Sequence, residues 1–169
     1  MVKLFGATLT AAACAWIGFR GAGTLRLRVG SMRELEQGLL LLEQELELYK
    51  SPLPELLEQV SRRSAGCAAR LFSVAWKEMQ GLERSSFRDI WERSLVSCAV
   101  AGEETLQILL PLGAVLGQCS TEAQVEGIAA VRGQLERLSR LAEEECRRQG
   151  GVYRIMGVSG GAFLVILLL

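Results

Sequence analysis

Residues 31–60 read SMRELEQGLLLLEQELELYKSPLPELLEQV, and the spacing of their leucines decides the fold. Leu35, Leu39, Leu42, Leu46 and Tyr49 recur at 4-3-4-3 spacing, which is one face of an α-helix, and Leu41 and Leu48 broaden the stripe. Ser31-Met32-Arg33-Glu34 has the form of a capping box, a hydroxyl at the N-cap and a carboxylate three residues on that reaches back. A helix is therefore expected to start there. Ser51-Pro52 stops it and restarts the chain, with Ser51 as N-cap and Pro52 at the first helical position, where a missing N–H does no harm. Leu53, Leu56, Leu57 and Val60 carry a second, short helix to near Gly66.

The same pattern continues toward the C-terminus. Ala68, Leu71, Phe72, Ala75 and Met79 predict a third helix ending at Gly81. Ser86 to Asp89 caps a fourth, with Phe87, Ile90, Trp91, Leu95 and Cys98 on one face and Gly102 after it. A fifth is expected from Glu103 to Gly117, kinked or broken at Pro111, because an interior proline removes a hydrogen bond. Thr121-Glu122-Ala123-Gln124 is a second capping box, opening a long sixth helix with Val125, Ile128, Val131, Leu135, Leu138 and Ala142 at heptad spacing. Short connections make neighbouring helices antiparallel. The fold class is all-α, an antiparallel six-helix bundle.

Outward from this middle the charges stop. Leu4 to Phe19 carries none, and neither does Ile155 to Leu169. Sixteen residues of helix cover about 24 Å against a hydrocarbon core of about 30 Å, so both segments are short spans that need help from their flanks. Trp16, Phe19 and Arg20 at one end, and Tyr153 and Arg154 at the other, are the aromatic and arginine pairs that settle at a membrane interface. The expected organisation is an N-terminal transmembrane helix at 2–20, a helical bundle domain at 21–151 and a C-terminal transmembrane helix at 152–169. Gly150-Gly151 would hinge the sixth helix to the last span. Arg20, Arg26, Arg28 and Arg33, with Arg147, Arg148 and Arg154, flank the inner sides, while Lys3 alone lies outside, so the positive-inside rule puts the middle in the cytoplasm. A cleaved signal peptide is the alternative for the first segment, and the arginines directly after it favour a retained anchor. Ala7, Ala11 and Ala15, and Gly157 with Gly161, are small-residue faces on which the spans could pair or self-associate.

Composition narrows the function. The 169 residues hold 19 Lys+Arg and 19 Asp+Glu, so no net field draws nucleic acid. There is no histidine, which removes the commonest general base and metal ligand, and Asp89 is the lone aspartate. Five cysteines without a CxxC read as free thiols. Glu143-Glu144-Glu145-Cys146 points its side chains in different directions on a helix, and Leu71, Phe72 and Trp76 read as core. No catalytic residue, cofactor or metal is expected, and the chain is read as not an enzyme. What remains is interaction: Glu34, Glu36, Glu43, Glu45, Glu47, Glu55 and Glu58 make the first two helices acidic. Glu43, Glu47, Glu55 and Glu58 are the candidate partner-binding residues, beside the plainer reading of a solvated face.

Read in order, MVKLFGA, LEQELELYKSPLPELLEQV, SFRDIWERSL, LGQCSTEAQ and the terminal FLVILLL resemble the stage III sporulation protein AB family of endospore-forming bacteria, over essentially the whole chain. Thr121 stands where the family pattern has Asp, and Pro111 is a second departure. The resemblance implies a six-helix domain similar to the F-type platform domain of type II secretion and type IV pilus machines. It implies a place in a channel-like complex between mother cell and forespore, in the membrane surrounding the forespore. The partners it implies are a companion secretion-type ATPase and the other subunits of the complex, beside the membrane lipid expected from the two end segments. The alternative from the residues alone is a generic two-span membrane-anchored adaptor or signalling scaffold.

Overall fold

The structure, a computed structural model, describes the backbone of residues 2–81, 85–98, 102–117 and 120–168, and within these the side chains between 26 and 148. The described residues are α-helical and hold no strand. They form α1 (Val2–Tyr49), α2 (Leu53–Arg63), α3 (Gly66–Met79), α4 (Phe87–Ser97), α5 (Glu103–Leu109), α6 (Leu112–Leu116) and α7 (Thr121–Leu168). The chain divides into two compact units, Met1–Val29 with Arg140–Leu169, and Gly30–Ser139. The two uncharged end segments thus fall in one unit, and the expected limits at 20/21 and 151/152 lie inside α1 and α7. α7 carries its helix through Gly150-Gly151, so the expected hinge is not a break. Among the described residues no helix is long and apolar enough to cross a membrane. The side chains of Leu4–Phe19 and Ile155–Leu169, where the spans are expected, lie outside the described residues.

The core of the unit Gly30–Ser139 follows the leucine stripe. Leu35, Leu39, Leu42 and Leu46 of α1 are buried together with Leu56, Leu57 and Val60 of α2 and Leu71 and Phe72 of α3. Ile90, Trp91 and Leu95 of α4, Leu109, Leu112 and Leu116 from α5 and α6, and Ile128, Val131 and Leu135 of α7 complete it. Burying each such side chain contributes about 1.5–3 kcal/mol. α1 approaches α3 closely because Gly38 has no side chain: a Cβ there would meet Ala68 and Phe72 at 2.8 Å. The stripe ends earlier than its spacing suggests. Tyr49 is 68% exposed and Leu48 is 72% exposed, because the helix stops before any neighbour covers them.

Three expected helix boundaries need correction. Ser31 does not start a helix, since α1 runs unbroken from Val2. Its capping-box partner, Glu34, is used across the fold instead, accepting the backbone N–H of Cys67 at 2.7 Å. α3 has Ala65 at its N-cap and no side-chain cap of its own, so Glu34 satisfies one of its orphan donors. Gly66 makes room with a φ of +55°, and its missing Cβ leaves the space that the Glu34 carboxylate fills. α2 is capped one residue later than expected, at Pro52, whose carbonyl accepts from Leu56 N at 3.0 Å. α7 is capped one residue earlier, where Ser120 Oγ lies 3.5 Å from Ala123 N. The break expected within the fifth segment is present, and the segment is two helices. Pro111 divides α5 from α6, as an interior proline should.

Candidate functional site

The four candidate glutamates separate into two kinds. Glu43 on α1 accepts from Arg132 Nε on α7 at 2.9 Å, an ion pair joining residues far apart in sequence. Glu58 is bound to Arg62 one helical turn on, at 2.6 Å. Glu45, which is buried, pairs with Arg63 and ties α1 to α2. With Glu34 capping α3, much of the acidic block serves the fold's own cohesion rather than presenting a face to a partner. Glu47 and Glu55 are exposed, and among the described residues no ion pair holds either. Both lie within about one helical turn of the α1–α2 connection. The side chains of Trp16, Phe19, Arg20, Tyr153 and Arg154, the candidate membrane-interface residues, lie outside the described residues.

That connection has a shape of its own. Lys50 takes a left-handed φ of 47°, with its N–H on the Leu46 carbonyl at 3.1 Å, and so closes α1 in the position where glycine is usual. Around it Leu48, Tyr49, Pro52 and Pro54 are exposed, and Leu53 is half-buried. Lys50 also acts on the start of α7. The Glu122 carboxyl is held below its ordinary range, first by a hydrogen bond to its own backbone N–H, then by Ser120 and, after a small opposing effect of burial, by the Lys50 charge. Sequence reading placed Leu48 and Tyr49 in the buried stripe. The signal that could have separated them is their position in the last turn before Ser51-Pro52.

Elsewhere the polar groups serve packing. Trp91 is fully buried, with Phe72 and Phe87 each 6.1 Å away between ring centroids, and its indole N–H donates to Leu109 O at 2.9 Å. Two surface clefts flank α4, and Glu92 lines both. In one of them Arg93 and Glu78 face each other at 3.3 Å. Cys67, Cys98 and Cys146 are free thiols. Burial pushes the Cys67 thiol above its ordinary 9.0, against an opposing pull from Arg70, and burial raises Cys98 in the same way. Glu144 and Glu145 are exposed while Glu143 and Cys146 are half-buried, so the cluster does not converge. Among the described residues no group of three or more acidic or cysteine side chains is placed to hold a metal ion.

These features define an all-α chain whose second unit is a closely packed helical domain with an exposed apolar turn. The family model for stage III sporulation protein AB matches residues 3–169, and the chain belongs to that family. It is 26% identical to the stage III sporulation protein AB of Bacillus subtilis (strain 168), with all of both chains covered. A solved structure of stage III sporulation protein AB (SpoIIIAB) superposes with a TM-score of 0.61 at 23% identity, covering 69% of this chain and 94% of that one. This likeness shows the fold, and the family places the chain among proteins of sporulation.

Proposed function

We propose that this protein is a non-enzymatic platform component of a secretion-like channel complex between mother cell and forespore, anchored by two spans and coupled to a companion ATPase. The observation that carries the reading is the full-length family match combined with a helical domain in which Glu43 and Glu34 tie α1 to α7 and α3. A platform must be stiff and must transmit force from a motor it does not itself contain. In this reading α5 and α6 count as one helix broken by Pro111. The unit Gly30–Ser139 then holds six helical segments, the first and last of which continue toward the two spans. Positively charged flanks support a domain on the cytoplasmic side, in the mother cell.

The test has two arms. Carbonate washing of membranes from sporulating cells should leave the chain in the pellet, and its release would remove the integral-membrane reading. Purified full-length chain in detergent should retain the companion ATPase on an affinity column. Absence of any retention would remove the ATPase as a direct partner.

A further inference from the structure

We propose that the turn joining α1 and α2 is a docking knob, received by an apolar pocket with a lysine- or arginine-bearing rim on another protein. Two observations meet there. Leu48 and Tyr49 are 72% and 68% exposed in adjacent positions, with Pro52 and Pro54 exposed just beyond. Rigid aromatic and proline surface loses little conformational freedom on binding, so such a turn is a suitable anchor. The backbone at the centre of the turn is also strained, since Lys50 adopts a left-handed conformation that costs a side-chain-bearing residue energy glycine would not lose. Strain of this kind persists where the surrounding structure requires a particular presentation.

Charge chooses the occupant. Glu47 and Glu55 are exposed on either side of the apolar turn and outnumber the one exposed cation at its centre, Lys50, so the border is net acidic. An acidic border is repelled by anionic lipid headgroups. A second copy docked through the same turn would set Glu47 and Glu55 against their own equivalents. A partner with basic groups around an apolar pocket satisfies both features, and the charges would steer its approach. This inference rests on the reading that the chain works by binding another protein, and is independent of that partner being the ATPase.

The experiment uses the full-length chain in sporulating cells, with p-benzoylphenylalanine replacing Tyr49 and, as control, Val96, which is 66% exposed on α4. Illumination should join position 49, but not position 96, to a different protein chain, at an apolar peptide flanked by lysine or arginine. Glu47→Lys with Glu55→Lys should lower the yield at least fivefold while leaving the melting temperature unchanged, because both side chains are exposed. The proposal is overturned by a dimer of this chain, a lipid adduct, no adduct, an acidic or uncharged crosslinked peptide, or a yield indifferent to the charge reversal. An adduct with a chain other than the ATPase would support the knob and count against the ATPase reading alone.

Discussion

Trp91 donates its indole N–H to the carbonyl oxygen of Leu109 at 2.9 Å, at the break where Pro111 divides α5 from α6. In a continuous helix the Leu109 carbonyl would receive the N–H of Gly113. Here Gly113 N bonds Leu110 O at 3.3 Å, in the tighter turn that follows the proline. The indole fills the vacancy, and Gly113 lets the ring come close, since a Cβ there would lie 3.0 Å from the Trp91 side chain. Sequence, local break and core packing are one device.

Trp91→Phe should separate the hydrogen bond from much of the packing. Leaving the buried Leu109 oxygen without its donor costs about 1–3 kcal/mol, to which the smaller ring adds a cavity. For a unit of this size, each kcal/mol lowers the midpoint by about 4–8 °C. Thermal unfolding of the full-length chain in detergent, followed by circular dichroism, measures it. An unchanged midpoint would mean that the hydrogen bond contributes nothing to stability.

Gly66 and Glu34 yield a paired prediction. Gly66→Ala forces a left-handed residue to carry a Cβ into the space of the Glu34 carboxylate, so it should destabilise by more than about 1 kcal/mol. Glu34→Ala removes the cap on Cys67 N and should cost about 0.5–2 kcal/mol, the range for losing an N-cap acceptor. Because the two share one contact, Gly66→Ala should cost less in the Glu34→Ala background than alone. Strict additivity in a double-mutant cycle would refute the shared contact.

Most of the helical content was legible because the apolar stripes repeat with the helix period and because Pro111 and Ser86 act locally. The misread features depend on what lies across the fold. Ser31-Met32-Arg33-Glu34 is the same four residues whether a helix starts or continues there, and only the position of Cys67 shows which helix Glu34 caps. Glu43 and Glu47 look alike on the α1 surface until α7 brings Arg132 to one of them. Tyr49 keeps the stripe's spacing, yet burial also needs a neighbour, and spacing carries no information about where the neighbours end.

Alkaline pH should weaken the fold through its buried thiol. Burial raises the Cys67 pKa above 9.0, so the folded state keeps its proton while the unfolded chain loses it. The stabilising contribution is therefore complete below about pH 9 and is lost as pH rises through the folded value. Between pH 8 and 10.5 the melting temperature should fall more for the natural chain than for Cys67→Ala. Parallel curves for the two would assign the alkaline loss to other groups.

The last prediction concerns how an acidic surface should be tested. Reversing Glu43 would set a lysine against Arg132, whose Nε lies 2.9 Å from the present carboxylate. The pair is neither fully exposed nor fully buried, with side-chain exposures of 17% and 32%. Its loss should fall between the ~0–1 kcal/mol of a surface pair and the ~3–5 kcal/mol of breaking a buried one. Glu43→Lys should therefore lower the melting temperature, and Arg132→Glu in the same chain should recover much of it by restoring opposite charges. Glu47→Lys and Glu55→Lys should leave stability within about 0.5 kcal/mol, as exposed substitutions do, while weakening any partner held by that charge, most visibly at low salt. Melting curves and ATPase retention, measured together on the four variants, separate the two effects. If Glu43→Lys reduced retention without lowering stability, Glu43 would return to the partner surface and the Arg132 contact would lose its structural role.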